Sequence, residues 1–184
     1  VGAGLGGGSS NAASVLKILA KHFNVRIHQG TSLQRLGLEL GSDIPFFLTG
    51  KPAYAAGRGE KLSPLPNFKI KYKILIVNPG IHVSTLWAYN KLRIADFGLH
   101  IENKFKKITQ FKISDKDRFV NDFEKVVFKR YPKIKKIKEM MYELDTVFSL
   151  MSGSGSTVYG FFLREKIKAA KNYFSNLGYK VFES

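Results

Sequence analysis

The sequence predicts an α+β protein in two parts. Three observations carry that reading: a glycine-rich run at residues 1–8 leads straight into a helical pattern, a Pro64–Asn67 linker divides the chain, and beyond it hairpin-like strands alternate with returning helices. The linker gives expected domains of residues 1–65 and 66–184. With 184 residues, 44% of them hydrophobic and 13% aromatic, the chain can bury a core, and intrinsic disorder is excluded.

The elements follow in order. From Ser9 or Ser10 to Phe23 the pattern is helical, with Val15, Leu16, Leu19 and Phe23 on one face and a serine as the expected N-cap. Thr31 and Gln34 form a capping-box pattern for a second helix running through Leu33, Leu36 and Leu40 to Gly41. Pro45 pushes Ile44 towards extended geometry, so Ile44 is expected to end any helix and to leave Asp43 at a junction, where a side chain can face a cleft. Ala53 to Ala56 reads as a strand entering a turn at Gly57-Arg58-Gly59. After the linker, Lys71 to Val77 is an expected strand closed by Asn78-Pro79-Gly80, and Ser84 caps a helix containing Leu86, Trp87, Tyr89 and Leu92. Residues 94–115 carry no readable pattern. Two helices follow, Asp117 to Tyr131 and Lys133 to Leu144, parted at Pro132. A strand from Thr146 to Met151, a turn over Ser152–Ser156, a strand from Thr157 to Leu163, a helix from Glu165 to Leu177 and a strand from Tyr179 to Phe182 complete an α+β sandwich.

Composition narrows the function. There is no cysteine, so disulfides and thiolate metal sites are excluded, and no apolar run reaches the roughly 20 residues of a membrane-spanning helix. A cytoplasmic protein with no membrane partner, monomeric or weakly homodimeric, is the expectation. The formal charge of +16 raises nucleic acid as a partner. Its densest run, Lys129, Arg130, Lys133, Lys135, Lys136 and Lys138, is interleaved with Val127, Tyr131, Ile134, Ile137, Met141 and Leu144 at helical spacing. That is the solvated face of an amphipathic helix, so no nucleic-acid partner is expected; a basic anion-binding or nucleic-acid-binding module is the alternative.

The chemistry begins at residue 1. Glycines 2, 4, 6, 7 and 8 permit several amides to converge on one anion, and the following helix aims its free N–H groups and positive dipole end the same way. Gly2, Gly4 and Gly7 also satisfy G-x-G-x-x-G, but the first acidic residue is Glu39, which does not suit a dinucleotide site, and no lysine occurs before Lys17, which excludes a Walker loop.

The pattern G-L-x-x-x-S-S, met by Gly4, Leu5, Ser9 and Ser10, is the phosphate motif of the GHMP kinases, and the chain resembles that superfamily. The likeness continues in family order through GSDIPFFLTGKPAYAAGRGEKL at 41–62, NDFE at 121–124 and MSGSGSTVYG at 151–160. It implies the remainder of a ribosomal-protein-S5-domain-2-like N-terminal domain followed by a ferredoxin-like α/β sandwich. It also implies a kinase of a small alcohol that uses ATP and Mg²⁺. By this resemblance Val1, Gly2, Ala3, Gly4, Leu5, Gly6, Gly7, Gly8, Ser9 and Ser10 wrap the triphosphate, Ser10 also joins the Mg²⁺ shell, and Gly153, Ser154 and Gly155 approach the same phosphates. Asp43 matches the catalytic carboxylate, which accepts the proton of the acceptor hydroxyl. Judged on its own surroundings, an aspartate before Ile-Pro is a turn or cap residue.

Residues 79–89 resemble the cytidine pocket of those members that act on a cytidine-diphosphate-linked methylerythritol. Thr85 is then near that small-molecule substrate, and Tyr89 is a ring that stacks on the base; Tyr89 also suits plain helix core. Arg58 is either a turn residue or a phosphate neighbour. Members acting on mevalonate, homoserine or a sugar are the alternative within the superfamily. The family's N-terminal segment, with a lysine that assists the transferred phosphate, has no counterpart in this chain, so the chain by itself is expected to be inactive or nearly so.

Overall fold

Along residues 73–78 Leu75 and Val77 point inward and are fully buried, while the strand pairs antiparallel on both sides; these are the features of a central strand with one covered face. In the computed structural model, which describes residues 3–24, 32–92 and 113–184, this strand anchors one of two compact units. That unit comprises residues 3–5, 70–92 and 113–184 of the described chain. Its elements are β3 (Lys73–Asn78), α4 (Thr85–Lys91), a 3₁₀ turn (Ile113–Arg118), α5 (Phe123–Arg130), α6 (Pro132–Glu143), β4 (Phe148–Met151), β5 (Val158–Phe162), α7 (Ile167–Asn176) and β6 (Lys180–Glu183). The four strands lie in the order β4-β5-β3-β6, antiparallel throughout. First and third strands in the centre with second and fourth outside is the split β-α-β arrangement, so the expected ferredoxin-like sandwich is present. Val127, Ile134, Ile137, Met141, Phe162 and Phe174, all fully buried, seal the helices onto the sheet.

The other unit holds residues 6–24 and 32–69 of the described chain. It contains α1 (Gly7–His22), α2 (Ser32–Leu40), α3 (Ile44–Thr49) and a hairpin of β1 (Ala53–Ala56) with β2 (Lys61–Pro64). Ala13, Leu16, Ala20, Leu33, Ile44 and Leu48 form its core. A Cβ on Gly37 would stand 2.9 Å from Leu48 Cδ1, so glycine there lets α2 cross close to α3.

Several boundaries differ from expectation. The first helix opens at Gly7, not at a serine cap, because Gly6 takes the N-cap position in a left-handed conformation (φ 63°) and no side chain caps the helix. Its buried seam is Ala13, Leu16 and Ala20, whereas Val15, Leu19 and Phe23 are exposed; two alanines let the neighbouring helix approach where larger residues would hold it off. Ile44 does not end helical structure but begins α3, since Pro45 falls in the first turn, where its missing N–H costs nothing. Lys61–Pro64 is a strand where only turn and linker were expected. The single helix from Asp117 is broken: after the 3₁₀ turn, Asn121 Oδ1 accepts the Phe123 N–H (3.0 Å) and α5 starts there. Ser84 does cap α4, its Oγ accepting the Trp87 N–H (3.2 Å), and Pro132 opens α6. The Thr31 capping box and most of the unreadable stretch lie outside the described residues. Among the described residues, no helix is long and apolar enough to cross a membrane.

Candidate functional site

The β4–β5 hairpin closes through Ser152–Ser156, a turn that needs glycine where φ is positive, at Gly153 (53°) and Gly155 (88°). Residues 3–5 run against it. Thr157 N–H donates to Ala3 O (3.2 Å), and Ser152 Oγ donates to Gly4 O (2.7 Å). Gly4 sits at φ 75°, and a Cβ there would lie 2.0 Å from Ser152 O, so no other residue fits. Around the turn, Thr85 Oγ1 and Ser154 Oγ share a hydrogen bond (2.8 Å), Asn78 Nδ2 donates to Thr157 Oγ1 (3.2 Å), and Ser156 Oγ donates to Ile81 O. Ser154, Ser156 and Thr157 are all buried, so these bonds are made out of water's reach.

Two further residues hold the turn, and sequence reasoning gave neither a role. Asn121 Nδ2 donates to both Met151 O and Gly153 O (2.7 Å each). Glu124 Oε1 accepts the Met151 N–H (2.8 Å), while its Oε2 pairs with Lys138 Nζ (2.6 Å). The NDFE segment had been singled out as a point of resemblance; its signal was an Asn and a Glu flanking a helix start, which marks side chains turned towards backbone groups.

Beside the turn, a cavity of about 380 Å³ is lined by Tyr89, Asn121, Asp122, Phe123, Gly153 and Tyr159, among others. Tyr89 is 55% exposed and leans edge-on against Phe123 (4.8 Å between ring centroids), while Ala88 is the residue that α4 buries. Its ring is therefore not helix core. Tyr159 is mostly buried, and burial first, then the Glu124 charge, pushes its phenol up to about 12.

In the other unit, α1 presents a bare first turn. Ser10 N–H is the first to find an intrahelical acceptor, Gly6 O at 2.9 Å, which leaves the N–H groups of Gly7, Gly8 and Ser9 without one inside the helix. A Cβ added at Gly7 or Gly8 would meet nothing within 4 Å outside the helix's own backbone, and both residues are exposed, so open space lies beside them. Gly6 is tight instead: a Cβ would stand 2.7 Å from the Phe47 ring. Phe47 lies one turn beyond Asp43, which occupies the N-cap position of α3. The Asp43 carboxylate makes no cap bond and is exposed, with Oδ1 3.7 Å from where a Gly59 Cβ would be, so capping does not occupy it. Arg58 acts through its backbone, its N–H donating to Glu60 Oε2 (2.6 Å) in the hairpin turn. Glu60's own N–H, with that of Arg58, holds the Glu60 carboxyl below its usual range against the opposing pull of desolvation.

Thus Gly4, Thr85, Gly153, Ser154 and Gly155 are brought together in one unit, with Tyr89 on the adjoining cavity. Gly6, Gly7, Gly8, Ser9, Ser10 and Asp43 fall in the other, linked through α1 and α3. Val1 and Gly2 lie outside the described residues.

A split β-α-β sheet whose hairpin turn is hydrogen-bonded to residues 3–5 of a glycine-rich segment defines its unit as an α+β sandwich. The chain belongs to the GHMP kinases: residues 1–51 match the GHMP kinases N terminal domain and residues 105–180 match GHMP kinases C terminal. It is 38% identical over 170 residues to a protein of Porphyromonas gingivalis named 4-diphosphocytidyl-2-C-methyl-D-erythritol kinase, covering 90% of this chain and 59% of that one. A protein of the same name from Pelobacter propionicus is 40% identical over 175 residues, covering 93% and 60%. The crystal structure of a 4-(cytidine 5'-diphospho)-2C-methyl-D-erythritol kinase matches with a TM-score of 0.78 at 32% identity, over 99% of this chain and 65% of that chain. Homoserine kinase from Cytophaga hutchinsonii shares the fold (TM-score 0.55, 12% identity, 100% of this chain and 65% of that one). The chain spans about three fifths of the length of the curated relatives it matches.

Proposed function

We propose that the protein transfers the γ-phosphoryl group of ATP to the 2-hydroxyl of 4-diphosphocytidyl-2-C-methyl-D-erythritol, a step of the non-mevalonate isoprenoid precursor route. The observation that carries this reading is Gly4, a position closed to any side chain and fastened by Ser152 to the Gly-Ser-Gly-Ser turn, in a chain 38% and 40% identical to relatives bearing that kinase's name.

Each residue has a task the geometry suits. Amides of Gly7, Gly8 and Ser9, at the positive end of α1 and with open space beside the two glycines, receive phosphate oxygens. Val1 to Leu5, with Gly6, and the Gly153, Ser154 and Gly155 amides are assigned as further donors to the nucleotide. Mg²⁺ bound to the phosphates would supply neutralising charge, with Ser10 Oγ as one ligand and waters and substrate oxygens as the others, as magnesium commonly keeps them. Asp43, uncommitted to capping, accepts the hydroxyl proton as the acceptor oxygen bonds to the γ-phosphorus and the bond to the β-phosphate oxygen breaks. Thr85, held by Ser154, is assigned to the substrate, and the exposed Tyr89 ring to the cytosine face.

The test is Asp43→Asn in the full-length protein. Turnover should fall by about 10²–10⁴-fold with ATP affinity within about twofold of the parent, as loss of a general base predicts. Undiminished turnover overturns the role of Asp43. Cytidine nucleotides should compete with the acceptor and slow turnover, and mevalonate or homoserine should not; the reverse would move the assignment to another branch of the superfamily.

A further inference from the structure

The Gly-Ser-Gly-Ser turn has to present its amides in one direction to serve an anion, and glycine by itself fixes no direction. Something must hold the peptide planes. β4 is an edge strand, and an edge leaves main-chain groups unpaired. Here the NDFE segment takes the place of a neighbouring strand: Glu124 accepts from Met151 N–H, and Asn121 donates to Met151 O and, beyond the strand end, to Gly153 O. The Gly153–Ser154 peptide is trans, so its N–H points opposite to its carbonyl. With Gly153 O drawn to Asn121, Ser154 N–H is turned to the far side. Ser154 is 6% exposed and its hydroxyl is engaged with Thr85, yet its N–H has no partner among the described residues. A buried amide without a partner is rare and points to a ligand.

We propose that Asn121 is a positioning residue: by holding Gly153 O it aims the Ser154 N–H at a phosphate oxygen of the bound nucleotide. The assignment rests on the nucleotide reading above. Asn121 is suited because its amide supplies both donors while its Oδ1 accepts Phe123 N–H, so α5 itself fixes the side chain. Aspartate has nearly the same shape and keeps that acceptor but loses both donors, setting a carboxylate against two carbonyls.

Binding of ATP, ADP and adenosine to full-length wild-type and Asn121→Asp protein, measured by calorimetry, tests it. Asn121→Asp should weaken ATP and ADP by about tenfold or more while adenosine, which has no phosphate, stays within about twofold. ATP affinity unchanged in the variant, or adenosine falling in step with ATP, overturns the assignment. If Asn121→Asp does not fold, Asn121→Ser, which retains one donor, carries the same comparison with a smaller loss confined to ATP and ADP. Wild-type protein binding neither ATP nor ADP sinks the nucleotide reading and this assignment together; wild-type binding with unaffected variants sinks this assignment alone.

Discussion

Among the described glycines, Gly4 leaves a side chain the least room, so Gly4→Ala should be severe. The new methyl would stand 2.0 Å from Ser152 O and force a left-handed residue to carry a Cβ, a strain of ~1–2 kcal/mol before any displacement of the turn. A melting curve should show the loss, and ATP binding should go with it; a variant that melts and binds like the parent would show the contact to be dispensable. Tyr159 gives a pH signature. Its phenol is held at about 12 in the fold against 10.0 unfolded, so the neutral form is favoured by folding. That contribution is complete below pH 10 and is lost as pH rises towards 12, on the order of 3 kcal/mol for a shift of this size. Denaturant midpoints at rising pH should therefore fall less steeply in Tyr159→Phe, and parallel curves would refute the assignment. Gly4 drew notice because its signal is local, a glycine run before a helix, whereas Asp43 stood out only through the family resemblance of GSDIPFF, since an aspartate before Ile-Pro reads by itself as a turn or cap residue. Asn121 was not legible, since its partners lie 30 and 32 residues away and only the fold brings them within 2.7 Å.

At the scale of elements, α1 sets helix stability against ligand access. Gly7 and Gly8 stand in its first turn with open space above them and negative φ, so alanine there is tolerated sterically and gains helix propensity, up to about 1 kcal/mol. The same methyl groups would intrude where phosphate oxygens are proposed to lie. Gly8→Ala should raise the melting temperature yet weaken ATP, a split that a merely structural glycine would not produce; tighter or equal ATP binding refutes the role of the first turn. The existence of α1 was plain from its period, but its phase was not. Leu16 was placed inward correctly, whereas Ala13 and Ala20 proved to be the seam and Leu19 and Phe23 stayed outside, because close packing on α3 favours small residues and hydrophobicity alone does not rank them. α3 was missed for a related reason: Pro45 reads as a breaker from upstream and as a first-turn residue from downstream.

For the whole molecule, the α+β sandwich was readable from hairpin-like strands separated by helices, whereas the β4-β5-β3-β6 order was not read from that pattern, and its ferredoxin-like topology was implied only by the family resemblance. The +16 charge was harder to interpret, because net charge says nothing of how the cations are engaged. Lys135, Lys136 and Lys138 pair with Glu139, Glu143 and Glu124, Lys125 pairs with Asp122, and Lys133 lies 5.4 Å over the Tyr179 ring. The basic run is thus broken up by acids and an aromatic, although exposed pairs of this kind contribute little to stability. Binding to duplex DNA should accordingly be of the non-specific kind, with a Kd of roughly 10⁻⁴–10⁻⁶ M at physiological salt and a steep decline as salt rises. ATP should behave otherwise. Its proposed donors are main-chain dipoles at contact distance, well inside the Debye length of about 8 Å at 0.15 M, so its affinity should change little between 0.15 and ~0.5 M salt. Titrating both ligands across that range separates the two uses of positive charge: DNA held tightly at 0.15 M, with ATP lost as salt is added, would turn the chain into a polyanion binder and leave the glycine loop without its proposed ligand.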